Sequence, residues 1–308
     1  MTDQGKDIKS REKRSAALSS VVAAIGLTTF KLIVGILTNS LGILAEAAHS
    51  GLDLVAAGMT YFAVRTSDKP PDDAHNFGHG KIENLSALFE TLLLLLTSAW
   101  IIYEAVNRLF FHPAKVDASF WAFIVMGASI FIDITRSRIL YKAARKYNSQ
   151  ALEADALHFS TDIWSSSVVI LGLLGIVLSK YLPGISWMKE ADSLAAMVVA
   201  VIVVYVSAQL GWRTISALLD TAPKGMAEKV EQAALSVNGV INAHDIRIRT
   251  SGAHHFIDLH IFMDGDMPIR EAHAATEVIE EKVRAIVPDA DVTVHMEPAE
   301  PQATRPGE

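Results

Sequence analysis

Apolar residues dominate six stretches in the first two thirds of the chain, at residues 16–37, 41–64, 83–110, 120–141, 154–178 and 192–210. Each is near the roughly 20 residues a helix needs to cross the hydrocarbon of a bilayer. His49 and Asp53 interrupt the second stretch, and the third and fifth carry polar residues near their starts. An ionisable group at bilayer depth costs about 3 kcal/mol on insertion scales, so such groups face a polar interior rather than lipid. The pattern predicts a bundle of six transmembrane helices over 16–210, preceded by a polar, basic segment at 1–15.

Lys and Arg in the connections set the orientation, because cytoplasmic loops carry the excess of positive charge. The N-terminal segment has Lys6, Lys9, Arg11, Lys13 and Arg14. The connection after the second stretch has Arg65, Lys69 and Lys81, and the one after the fourth has Arg136, Arg138, Lys142, Arg145 and Lys146. The opposite connections carry none (residues 38–40), Lys115, and Lys180 with Lys189. Both termini are therefore expected in the cytoplasm. No short apolar segment with a small-residue cleavage site follows the basic start, so no cleaved signal peptide is expected.

After residue 210 the pattern changes. Residues 211–224 read as a linker, with Pro223 marking a boundary. Helical periodicity at 226–237 gives way to alternation of apolar and polar positions at 240–250 and 254–263, the mark of half-buried strands. Ser251-Gly252-Ala253 suits a hairpin turn between them. A second helix is expected at 268–286, with Pro268 fitted to its first turn, and a short third strand at 291–296. The order α-β-β-α-β predicts a small cytoplasmic α+β domain over 225–297, ferredoxin-like or metallochaperone-like, with helices on one face of a sheet. Residues 298–308 have the composition of a disordered tail.

Composition narrows the chemistry. The chain is 51% hydrophobic and 20% charged, with a mean hydropathy of +0.30. A net charge of −7 argues against nucleic acid, whose binding wants a basic surface. The absence of cysteine among the 308 residues removes disulfides, thiolate metal sites and cysteine nucleophiles. Any metal must be held by His, Asp, Glu or backbone oxygen. An intramembrane metalloprotease would show HExxH on a helix, and no such run occurs.

Two of the spans carry the same pair. The second reads AEAAHSGLDLVAAG and the fifth ALHFSTDIWSSS, so His49/Asp53 and His158/Asp162 each lie four residues apart. That spacing puts both side chains on one helix face. Facing each other, the helices would offer two imidazole nitrogens and two carboxylate oxygens, a set that suits a tetrahedral divalent ion and zinc above all. A pair of interhelical hydrogen bonds is the bland alternative, and the duplication of the spacing counts against it. Because a ligating His must be neutral and an Asp ionised, metal binding expels protons. The site therefore suits exchange of M2+ for H+. Glu46 and Asp155 precede His49 and His158 by three residues and would extend an ion path by one turn. Lys31 is expected to pair within the bundle, and Asp133 and Glu90 to be pairing or helix-end residues.

The connection KPPDDAHNFGHGKIE brings Asp72, Asp73, His75 and His79 together. It reads equally as a second, exposed metal site and as a solvated polar loop. The last third holds His244, His254, His255, His260, His273 and His295. Glu297 follows His295 on the same strand face. A histidine–carboxylate cluster on a sheet edge is a reasonable metal site, while any one of these histidines alone reads as a surface residue.

In HSGLD, DDAHNFGHGK, ALHFSTD, GVINAHDIRIR, FIDLH and DVTVHME the chain resembles the cation diffusion facilitator family of bacterial membrane transporters. The resemblance runs from the first span to Glu297. It implies a secondary transporter rather than an enzyme, in the bacterial inner membrane, working as a homodimer with one transport site per protomer. His49, Asp53, His158 and Asp162 fall on that site. Asp72, His75 and His79 match an interhelical loop site. His244, His260, His273 and His295 match a cytoplasmic-domain site at the dimer contact, and Glu297 stands where relatives carry Asp. Lys81 and Asp220 match a charge interlock between protomers. Some members have Asp in place of His49. The nitrogen-richer set here favours Zn2+ over the larger Cd2+, with Co2+, Fe2+ and Mn2+ as further substrates to test.

Overall fold

The computed structural model describes residues 3–110, 120–179 and 188–299. Six long helices come first: α1 (Asp3–Thr38), α2 (Leu41–Ser67), α3 (Lys81–Phe110), α4 (Phe120–Tyr147), α5 (Gln150–Ser179) and α6 (Met188–Leu218). Each contains the apolar stretch expected for it. Lys115, Lys180 and the 300–308 part of the expected tail lie outside the described residues. Among the described residues, three helical stretches, Ile8–Thr38, Lys81–Asn107 and Met197–Leu218, are long and apolar enough on composition alone to cross a membrane.

The burial pattern of these helices is inverted relative to a water-soluble bundle. Leu32, Ile36, Phe62, Leu96, Phe131 and Tyr205 point outward, while Lys31, Asp53, Glu90, Asp133, Arg136, Asp155 and His158 are buried. Apolar side chains exposed in this way suit contact with lipid, and buried charges must pair inside. The turn between α1 and α2 is short. Asn39 takes a positive φ of 49°, which Asn tolerates better than most residues. Ser40 then caps α2, its side chain accepting from the Ile43 N–H at 3.4 Å. A Cβ on Gly35 would stand 2.8 Å from Leu44 Cδ2 and 3.2 Å from the Leu44 backbone nitrogen, so glycine eases the close approach of the end of α1 to the start of α2.

Two boundaries differ from the sequence reading. The fourth apolar stretch ends at 141 in the sequence pattern, with Arg136, Arg138, Lys142, Arg145 and Lys146 counted toward the connection that follows, but α4 runs on through all of them. Arg136 is buried at 4% exposure. Its Nη2 donates to Ser20 Oγ at 3.0 Å, its Nη1 lies 3.6 Å from Asp133 Oδ1, and its guanidinium carbon stands 3.4 Å from the Phe159 ring centre. Those partners replace the water that a loop arginine would have used. Likewise residues 211–218, expected in the linker, continue α6. Gly211 approaches Thr91 of α3 closely enough that a Cβ would meet its Cγ2 at 3.0 Å, and Thr214 is fully buried.

The C-terminal unit consists of α7 (Met226–Leu235), β1 (Asn242–Ser251), β2 (His254–Met263), α8 (Ile269–Ile286) and β3 (Ala290–Pro298). The element order is the expected one. The sheet order is β1-β2-β3, with β1 antiparallel and β3 parallel to β2. Gly252, at φ 60°, makes the hairpin turn. Ile257, Leu259 and Ile261 of β2 alternate inward and pack with Val230 of α7 and Ile279 and Val283 of α8. Both helices therefore cover one face, and the even-numbered residues of β2 are left on the other.

Candidate metal centres

The i,i+4 spacing does what helical geometry requires, and α2 and α5 pack so that the two pairs meet. His158 Nε2 lies 3.0 Å from Asp53 Oδ1 and 3.6 Å from Asp162 Oδ2. His49 Nε2 lies 3.9 Å from Asp162 Oδ1. Ligand atoms of His49, Asp53 and Asp162 fall within 4.8 Å of one another. A tetrahedral ion with bonds of about 2.0–2.1 Å separates its ligands by roughly 3.3 Å, close to the His158–Asp53 and His158–Asp162 separations of 3.0 and 3.6 Å. Asp53 and His158 are buried, whereas His49 and Asp162 are half-buried. The His158 Nδ1 is buried without a hydrogen-bond partner.

Further buried charges surround this centre. Lys31 Nζ reaches Glu46 Oε2 at 3.2 Å and donates to Ser50 Oγ at 2.8 Å, so Lys31 pairs within the bundle as expected. Asp155 is fully buried, and its Oδ2 accepts from Ser20 Oγ at 3.1 Å. Glu90 accepts from Thr60 within the bundle. Both Glu90 and Asp133 sit mid-helix and pair there.

The connection between α2 and α3 folds into a second cluster. Asp72 Oδ1 accepts from the His75 and Ala74 N–H groups at 2.6 and 3.0 Å, an Asx turn that holds the carboxylate in place. His75 Nδ1 and His79 Nε2 each stand 3.2 Å from an Asp72 oxygen. Gly78 bends the chain at φ 76°, bringing the two imidazole centres to 4.4 Å. The His75 N–H groups hold the Asp72 carboxyl below its ordinary range, so it stays anionic and ready to ligate. Asp73 is not part of this group.

A third cluster lies on the open sheet face. His244 is directly opposite His260, and His260 is in register with His295. The three rings form a row, with centres at 5.6 and 4.8 Å. Glu297 reaches across the row: its Oε1 stands 2.8 Å from His260 Nδ1 and 3.8 Å from His295 Nε2, and its Oε2 stands 3.5 Å from His244 Nε2. The contact with His260 pulls the Glu297 carboxyl below its ordinary range. The longer Glu thus spans three histidines. His273 does not join them within one chain. It sits on α8, on the other side of the sheet, and pairs with Glu277 at 3.8 Å. Sequence reasoning missed Asp245, which groups with His244 and His260. The register slips between His244 and Arg247 and Asp245 takes φ 47°, a bulge that simple alternation does not foresee. Lys81 opens α3, and Asp220, at φ 58°, follows α6.

Residues 17–219 match the family model of the cation efflux transmembrane domain, and residues 222–299 that of the cation efflux protein cytoplasmic domain. The cation-efflux pump FieF of Yersinia pestis (strain Pestoides F) is 32% identical over 290 residues, 92% of each chain. FieF of Yersinia pseudotuberculosis serotype O:3 (strain YPIII) matches equally. Among solved structures, CzrB in its zinc form aligns at 26% identity over 25% of this chain and 89% of that one, with a TM-score of 0.24. The two domain matches, end to end, cover the long-helix unit and the small α+β unit alike, and the chain belongs to the cation efflux, or cation diffusion facilitator, family.

Proposed function

We propose that the protein is a proton-coupled exporter of divalent transition-metal cations, zinc foremost, that works by alternating access. The observation that carries this reading is the meeting of His49, Asp53, His158 and Asp162 inside a helical bundle whose outer surface is apolar. Six spans, with both termini in the cytoplasm of a bacterial inner membrane, would place the α2–α3 loop and the sheet domain on the side from which metal is collected. A cytosolic ion enters between α2 and α5 and displaces protons from the imidazoles, because only neutral His and ionised Asp can ligate. The bundle then opens outward, protons displace the ion, and the protonated carrier returns.

Two imidazoles and two carboxylates favour small tetrahedral ions. Zinc fits best, Co2+ accepts the same geometry, and Fe2+, Mn2+ and Cd2+ follow. The loop cluster of Asp72, His75 and His79 and the sheet cluster of His244, His260, His295 and Glu297 would bind metal as regulatory sites. The protein would act as a homodimer, with His273 completing a metal set from the partner's side and Lys81 with Asp220 as the interlock. Zinc flux into proteoliposomes under an imposed pH gradient tests the core of the reading. Uptake should depend on the gradient and vanish in Asp162→Ala; undiminished flux in that variant would refute the site.

A further inference from the structure

A buried ionic knot at the start of α3 belongs to none of the three metal clusters, yet it holds the elements that carry two of them. Glu83 is 1% exposed. Its Oε1 accepts from Lys13 Nζ of α1 at 2.7 Å and from Ser67 Oγ of α2 at 2.8 Å, and its Oε2 accepts from Ser149 Oγ, just before α5. Lys13 also donates to Asp68 Oδ1 at 2.8 Å. The next residue, Asn84, donates from Nδ2 to Gln150 Oε1 at 2.9 Å. Ser149 Oγ in turn accepts from the Leu152 N–H at 3.4 Å. The first turn of α3 therefore grips the last turn of α2 and the first turn of α5.

The same turn is continuous with the loop cluster. The Ile82 N–H donates to His79 O at 3.0 Å and the Glu83 N–H to Gly80 O at 3.1 Å, so His79 and Glu83 move as parts of one helical start. From Ser149 an unbroken helix carries on to His158, a rise of about 13 Å at 1.5 Å per residue. From Ser67, α2 leads back to Asp53 without a break. Apolar side chains would close the same space at least as stably as a buried ion pair. A carboxylate that takes donors from α1, α2 and the residue before α5 offers direction instead.

We propose that Glu83 is a positioning residue that transmits metal occupancy of the Asp72–His75–His79 loop to the two ligand-bearing helices, α2 and α5. The proposal rests on reading that loop as a metal site. Metal drawing His75 and His79 onto Asp72 fixes the turn that begins α3. Glu83 then holds the cytoplasmic ends of α2 and α5 in the register that brings the four transport ligands together. With the carboxylate gone, the loop still binds metal but no longer affects the transport site.

The test is a double-mutant cycle on zinc flux in proteoliposomes, using the full chain and the variants His75→Ala, Glu83→Gln and the pair together. Each single change should cut flux about tenfold, and the double variant should fall no lower than the weaker single, as coupled sites require. Losses that multiply in the double variant would overturn the coupling while leaving the loop as a metal site. If His75→Ala leaves flux unchanged while Glu83→Gln lowers it, the loop reading fails and this route fails with it. Ser149→Ala, which removes one hydroxyl from the link, carries the same cycle if Glu83→Gln does not yield folded protein.

Discussion

The α2–α5 cluster and the sheet-face cluster gather candidate metal ligands by opposite geometries. In the first, each helix supplies a His and an Asp one turn apart, and the packing of α2 on α5 brings four ligands to separations of 3.0–3.9 Å. In the second, three strands each supply one His at the same register row, and one carboxylate spans them. In the helical centre Asp53 and His158 are buried, so losing either strands a buried partner, while His49 and Asp162 are half-buried. The sheet centre is half-open, with Glu297 at 30% side-chain exposure, and solvent softens each loss. We expect the more buried α2–α5 cluster to tolerate the loss of a ligand less than the sheet cluster does.

The largest expected effect lies at the buried centre. Replacing Asp53 with Ala should lower zinc flux by at least about 100-fold, because a buried charge partner is lost together with a ligand. Asn at the same position should be no better if ligation rather than packing is at stake. Radiolabelled zinc uptake into vesicles reads both.

Within the sheet unit, the core should matter more than the metal cluster for folding. Leu259 is fully buried beneath the row of histidines. Leu259→Ala should destabilise the unit by about 2–5 kcal/mol, whereas His295→Ala, at an exposed ring, should stay within about 0.5 kcal/mol without metal. Denaturant melts of the two variants in metal-free buffer compare them directly, and equal losses would mean that the cluster is structural.

Selectivity should be a smaller effect. His49→Asp trades a nitrogen ligand for an oxygen and should move the zinc-to-cadmium flux ratio toward cadmium by about tenfold, or roughly 1.4 kcal/mol. A competition flux assay with both ions checks it, and an unchanged ratio would remove His49 from the selectivity argument.

The smallest effect concerns pH. Burial and the neighbouring His254 charge hold the His255 imidazole below its ordinary value of 6.5. The folded state therefore prefers neutral His255. Its contribution is present above about pH 6.5 and is lost as pH falls below that value toward the lowered one. His255→Gln should flatten the acid side of the stability profile below about pH 6.5 and change little above it. A thermal melt series across that range shows whether the two profiles converge.

The sequence by itself determined the repeating devices. The six apolar stretches, the α-β-β-α-β order and the two His-x-x-x-Asp pairs follow from periods of 3.6 and 2, which are local properties of the chain. The row of His244, His260 and His295 was legible as three separate strand positions but not as a row, because register is settled between strands. Tertiary structure alone decided that Arg136 is buried, since its partners Ser20 and Phe159 lie on other helices. It also decided that Asp245 turns toward the histidines at a bulge and that His273 stands apart on α8. Glu83 is the clearest instance. As text it is one acid at a helix start, and only the convergence of α1, α2 and α5 on its two oxygens makes it a junction. Local periodicity fixes which face a side chain occupies; long-range packing fixes what it meets there.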